Sequence, residues 1–156
     1  MTRPSTAYGD KPDSFPQPAL GLASIAAVLE KKVNVLTILD GNFCEDYMAA
    51  LRDIVLSERP DIVGFSVFTS FAGKVMAGAQ LVKSIDPKIL VVIGGPHSTV
   101  LGEKTLEKCS AVDIAVCGEG EFPIQEIVEG TPLTDIAGIV FRDSNGKITK
   151  RSEERR

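Results

Sequence analysis

Four short segments of this chain carry side chains able to do chemistry, and each one directly follows an apolar run: Asp40-Gly-Asn42, Ser66-Val-Phe-Thr-Ser70, Gly94-Gly-Pro-His-Ser-Thr99 and Gly118-Glu-Gly-Glu121. Gly94 and Gly95 remove two side chains where a strand should end. That permits positive φ, lets a ligand lie against bare backbone, and leaves amides able to hold a phosphate; a tight turn with no ligand explains the same pair. Ser66, Thr69 and Ser70 place hydroxyls beside Phe65 and Phe68, so a polar ligand edge can be hydrogen-bonded while an aromatic wall covers its face. Thr69 or Ser70 can equally cap the helix that follows. Glu119 and Glu121 are two carboxylates on one loop, a pattern for acid–base or metal chemistry, although acidic residues at a helix start are also favoured by the macrodipole.

His97 is the only histidine, so any triad, dyad or multi-histidine metal site must be built around it alone. Its expected role is donation to a backbone or ligand oxygen from a loop. Cys44, Cys109 and Cys117 are odd in number and too widely spaced for a Cys-x-x-Cys knuckle or a disulfide framework. They read as small core residues in a reducing, cytoplasmic setting.

The elements that must position these loops alternate along the chain. Residues 1–17 hold Pro4, Pro12 and Pro16 with Gly9 between them, an irregular lead-in. Apolar residues from Ala19 to Lys32 recur at helical spacing behind Pro18. Val33 to Leu39 reads as a strand, Tyr47 to Leu56 as a helix stopped at Arg59-Pro60, and Asp61 to Phe68 as a strand. A helix is expected from Gly73 to Ile85, a strand from Ile89 to Ile93, part of a short helix from Thr105 to Lys108, and a strand from Val112 to Cys117. A helix then runs from Glu121 to about Glu129, and strands at Ile136–Phe141 and Lys147–Lys150 flank a turn signalled by Asn145-Gly146.

Runs such as Ile89-Leu-Val-Val-Ile93, with almost no polar alternation, suit strands covered on both faces. The fold class is α/β: a Rossmann-like (flavodoxin-like), doubly wound, mostly parallel sheet with a C-terminal β-hairpin. In such sheets ligands bind at the carboxyl ends of the strands, where the four segments should meet on one edge. With 156 residues, 44% of them hydrophobic, the chain holds one domain, residues 18–150, followed by a charged tail at 151–156. A formal charge of -4 offers no field for nucleic acid or an anionic membrane, and no run approaches the roughly 20 apolar residues that span a bilayer.

Pro18-Ala-Leu-Gly-Leu-Ala-Ser-Ile-Ala-Ala-Val-Leu-Glu30, Pro60-Asp-Ile-Val-Gly-Phe-Ser-Val-Phe-Thr69, Val92-Ile-Gly-Gly-Pro-His-Ser-Thr99, Gly118-Glu-Gly-Glu121 and the hairpin Ile136-Ala-Gly-Ile-Val-Phe-Arg142 stand in order and at natural spacing. Together they resemble the N-terminal cobalamin-binding domain of cobalamin-dependent radical S-adenosylmethionine enzymes. The resemblance implies that the strand-end edge holds cobalamin, with the nucleotide tail in the crevice. Ser66, Val67, Phe68 and Thr69 would line the tail pocket; Gly94, Gly95 and Pro96 would let the nucleotide pass the backbone, with His97 beside them. Gly118, Glu119 and Gly120 would border the opposite wall, and Asp40 and Asn42 would add contacts. The Asp-x-His-x-x-Gly motif that ligates cobalt in methionine-synthase-like domains is absent. The resemblance therefore implies cobalamin with its own base displaced and no histidine beneath the cobalt.

No Cys-x-x-x-Cys-x-x-Cys set is present. The iron–sulfur cluster, S-adenosylmethionine and the methyl-transfer or radical chemistry are thus expected in a separate catalytic domain, in cis or in trans. Relatives begin with an apolar strand before the Pro-x-Leu-Gly-Leu helix, whereas Met1 to Gly9 is polar. Ser5 to Tyr8, or a second copy of the chain in a homodimer, is the expected substitute. The alternative function is a flavin- or nucleotide-binding flavodoxin-like module or a regulatory interaction domain. Against it stand the missing Gly-x-Gly-x-x-Gly turn and the missing Ser/Thr-rich first loop. A third reading, direct catalysis by Glu119, Glu121 and His97, requires those groups to converge.

Overall fold

The structure, a computed structural model, describes residues 19–143 and 145–152. The lead-in at 1–17 and most of the tail lie outside them. Ten elements follow in order: α1 (Leu20–Leu29), α2 (Tyr47–Glu58), β1 (Ile62–Ser66), α3 (Ala72–Ile85), β2 (Leu90–Gly94), α4 (Pro96–Lys108), β3 (Ile114–Val116), α5 (Glu121–Val128), β4 (Ile139–Arg142) and β5 (Ile148–Lys150). One five-stranded sheet runs β1-β2-β3-β4-β5, with β1, β2 and β3 parallel and β4 and β5 antiparallel additions.

Period-two alternation sends successive side chains to opposite faces, and both faces are apolar because helices cover both. Val91 and Ile93 join Phe65, Ala115 and Cys117 beneath α2, α3 and α4, where Leu51, Val55, Val75, Ala79, Val82 and Leu106 complete one core. Val92 turns the other way, joining Ile114, Val116, Ile139 and Phe141 against Leu29 of α1 and Ile124 and Ile127 of α5. Full burial of Val82, Ile93, Leu106 and Ile114, each at 0% exposure, contributes roughly 1.5–3 kcal/mol per side chain before entropy is counted.

Local chemistry sets the element ends. Asp46 caps α2, its carboxylate accepting the Ala49 N–H at 3.0 Å. Arg59 closes α2 in the left-handed region (φ 48°), and Pro60 bars a further turn. At the end of the sheet away from the strand-end loops, the Asp113 carboxylate accepts the Val91 N–H (2.7 Å) and pairs with Lys83, whose ammonium also donates to the Ile89 carbonyl. The β4–β5 hairpin turns at Asp143, whose carboxylate accepts the Asn145 and Lys147 N–H groups.

Two expectations are corrected. Val33 to Leu39 forms no ladder among the described residues; it runs without strand pairing, leaving Val35, Leu36 and Ile38 exposed. Apolar, β-branched composition gives a strand only where a neighbouring backbone supplies partners, and here none is described. The helix expected only at Thr105–Lys108 is instead the end of α4, which begins at Pro96. Proline is suited to a first helical position, and Gly95 makes the sharp entry.

Candidate functional site

Because β1, β2 and β3 are parallel, their carboxyl ends open on one side, and hydrogen bonds stitch their loops together. Val67 N–H donates to the Gly94 carbonyl (2.8 Å), and His97 N–H donates to the Val67 carbonyl (3.1 Å). The Thr99 hydroxyl donates to the Gly95 carbonyl (3.3 Å) while accepting Gly118 N–H (3.0 Å). Thr99 thus ties the second loop to the third, a role that sequence reasoning missed. The signal was its position three residues into a helix begun by Pro96, where a hydroxyl is available to nearby backbone.

Gly95 is the tightest point. Its φ is +96°, and a Cβ there would stand 3.1 Å from the Val67 carbonyl oxygen and 3.4 Å from Ser66 Oγ. Gly94 meets nothing within 4 Å of its missing side chain, so the backbone between β2 and α4 lies open. Ser66, Phe68, Thr69, Pro96, Gly118 and Glu119 are exposed around this opening, with Phe68 at 55%. Phe122, 62% exposed at the start of α5, adds an aromatic that sequence reasoning did not select.

Other residues act from beneath. Val67 is fully buried, with its N–H and carbonyl both bonded within the protein. His97 is buried in the first turn of α4 rather than in a loop, with Nδ1 3.2 Å from Thr69 Oγ1 and Nε2 3.1 Å from Thr105 Oγ1. Phe65, expected in the aromatic wall, lies in the core against Gly78, and Phe68 alone of that pair faces outward. Neither Thr69 nor Ser70 caps α3: a short 3-10 turn at Thr69–Phe71 leads into it with no side-chain cap, and the Thr69 hydroxyl goes to His97 instead.

Gly120 approaches α1, where its absent Cβ would meet Ile25 Cδ1 at 3.1 Å. The Ser24 hydroxyl of α1 donates to the Glu121 carboxylate. That bond, with help from backbone N–H groups at the start of α5 and against a small desolvation cost, holds the Glu121 carboxyl below its usual range. Glu121 therefore ties α5 to α1, and His97 is engaged at both nitrogens, so the acid–base constellation of Glu119, Glu121 and His97 does not assemble. The Asp40–Asn42 turn is closed by Phe43 N–H donating to the Asp40 carbonyl, and a Cβ on Gly41 would meet the Tyr47 ring of α2 at 3.3 Å. No cluster of three metal-ligating side chains occurs among the described residues.

The carboxyl ends of the parallel strands thus carry an uncovered Gly94, the exposed hydroxyl residues Ser66 and Thr69 and the exposed ring of Phe68. A profile of the B12 binding domain matches residues 14–128, across all three of these loops. The chain belongs to the B12-binding domain family. It is 34% identical over 135 residues to PH0819 of Pyrococcus horikoshii, an uncharacterised methyltransferase, covering 84% of this chain and 29% of that protein. Among solved structures it is similar to the radical S-adenosylmethionine methyltransferase TsrM from Kitasatospora setae, with cobalamin and a [4Fe-4S] cluster bound. The TM-score there is 0.74 at 21% identity, over 88% of this chain and 26% of that one. It is similar also to the cobalamin-dependent S-adenosylmethionine radical enzyme OxsB, with a TM-score of 0.76 at 17% identity, over 90% and 20% of the two chains. The chain thus spans less than a third of these relatives, and the α/β fold expected from sequence is the B12-binding, Rossmann-like one.

Proposed function

We propose that this B12-binding domain holds cobalamin at the β1–β2–β3 edge and serves a radical S-adenosylmethionine catalytic domain, in cis or in trans. The observation that carries the reading is the uncovered backbone at Gly94, beside a left-handed Gly95 and among three strand-end loops tied together by hydrogen bonds. The donor set fits the cofactor. Ser66 and Thr69 offer hydroxyls to its polar periphery, and Phe68 offers an apolar face. Gly94, Gly95, Pro96, Gly118 and Glu119 are the residues past which the nucleotide tail would run. Val67, His97 and Gly120 support those residues from beneath, and Asp40 and Asn42 complete the candidate set.

Bound cobalamin would supply cobalt-centred methyl or electron transfer. The chain's own part is to position it and to withhold a ligand. Both His97 nitrogens are engaged with threonines, which supports a cobalt with no histidine beneath it and a displaced base. Cys44, Cys109 and Cys117 form no disulfide among the described residues, and a cytoplasmic setting is part of the reading. A visible-absorption titration with hydroxocobalamin and methylcobalamin, followed by desalting, tests the reading. Retained and shifted corrin bands support it; a folded protein that keeps no corrin, or that keeps flavin instead, sinks it.

A further inference from the structure

The donors and acceptors behind Thr69 can be assigned one proton at a time. Thr105 Oγ1 lies 2.9 Å from the Leu101 carbonyl, four residues back along α4. A carbonyl has no proton to give, so the single hydroxyl proton of Thr105 goes to it. The Thr105 oxygen can then only accept from the imidazole 3.1 Å away, which places a proton on His97 Nε2. In a neutral imidazole Nδ1 is then bare, so the Thr69 hydroxyl, 3.2 Å from it, must be the donor. The chain runs Thr69 O–H to His97, His97 N–H to Thr105, Thr105 O–H to Leu101. Its inner members are buried, with His97 at 8% and Thr105 at 7% exposure, while Thr69 is exposed at the rim of the opening.

We propose that His97 is a positioning residue that holds the Thr69 hydroxyl as a hydrogen-bond acceptor toward the ligand, so that this point takes an N–H or O–H group and rejects a phosphate oxygen or a bare ring nitrogen. The proposal rests on the cobalamin reading only for the ligand's identity. Cobalamin offers such donors in two places, the carboxamides around the corrin and the ribose hydroxyls of the nucleotide. Its phosphate and its displaced base are acceptors and must find other partners.

Because His97 is the only histidine, its ring nitrogens give unambiguous signals in a long-range proton–nitrogen correlation spectrum of the 15N-labelled protein. The expected result is the neutral tautomer protonated at Nε2, with Nδ1 bare; protonation at Nδ1 overturns the proposal. Binding then tests the consequence, with hydroxocobalamin and with a cobinamide, which lacks the nucleotide, titrated into His97→Leu, Thr69→Val and the double variant. Each single change is expected to weaken hydroxocobalamin about tenfold, the worth of one net hydrogen bond. The double variant is expected to bind no more weakly than either, because His97 acts through Thr69. Additive losses overturn the proposal. The same penalty with cobinamide identifies a carboxamide as the donor, and a penalty confined to hydroxocobalamin identifies a ribose hydroxyl. His97→Asn, whose amide oxygen can accept from Thr69, should recover much of the lost affinity and keeps the binding arm readable if the leucine variant does not fold. If the wild-type protein retains neither corrinoid while His97 carries its proton on Nε2, the cobalamin reading fails and the hydrogen-bond assignment stands.

Discussion

At Gly95 backbone conformation and space impose the same requirement. A φ of +96°, with the Val67 carbonyl oxygen 3.1 Å from where a Cβ would stand, strains any side chain placed there. Gly95→Ala is expected to lower stability by about 1–3 kcal/mol, read as a shift in the urea midpoint, and to weaken corrinoid binding with it. Glu121 gives a second test at this scale. Its carboxyl is held below the ordinary value chiefly by the Ser24 hydroxyl, so the contact contributes stability above the unfolded-state pKa, and that contribution is lost as pH falls through the lower folded value. Ser24→Ala should raise the Glu121 carboxyl titration midpoint, followed by carbon-detected NMR, and narrow the stability difference between neutral and acid pH. These residues also show what was legible beforehand. Gly94-Gly95 and the hydroxyls after β1 stood out by type and position. That His97 would turn inward and Phe65 into the core could not be read, because both depend on partners distant in sequence, Thr69 and Thr105 for one and Gly78 for the other.

Among the elements, α4 lies close against the sheet at Gly102. A Cβ on Gly102 would lie 3.0 Å from that of Ala115 in β3, with Cys117 Sγ behind it at 3.7 Å. Gly102→Val is therefore expected to push α4 outward at a cost of about 1–3 kcal/mol, measured by chemical denaturation, and to loosen the Thr99–Gly118 tie at the site. The ladder of β1 makes a second prediction. Asp61 accepts from Leu90 and Val67 donates to Gly94, so in a parallel ladder Val63 and Phe65 face β2 while Ile62, Gly64 and Ser66 present their N–H groups to the open side. Amide hydrogen exchange should be faster at Ile62, Gly64 and Ser66 than at Val63 and Phe65; equal protection would mean that the edge is covered in solution. Periodicity located α1, α2, α3 and α5 and both strands of the hairpin, since those signals are local, but found only the last turn of α4, which begins at Pro96. It misjudged Val33–Leu39, because a strand is a relation between two segments, and composition reports only one of them.

For the molecule as a whole, ligand and fold are linked through the loops that join β1, β2 and β3. A corrinoid that binds only the folded chain should raise its melting temperature. At a hundredfold excess over Kd the gain is about 2.7 kcal/mol, or roughly 5–10 °C for a domain of this size, readable by circular dichroism with and without hydroxocobalamin. No shift under saturating corrinoid would contradict the proposed function. The two margins of the sheet differ as well. β5 is three residues long, ends at Lys150 and is followed by Arg151, a short and charged margin that discourages further pairing. Among the described residues no strand pairs with the outer side of β1, where Gly64 and Ser66 are exposed. A pair of copies joined by backbone pairing at β1 across a twofold axis would use up that template and present only its β5 margins, so growth through the sheet would stop at the pair and not propagate into a fibre.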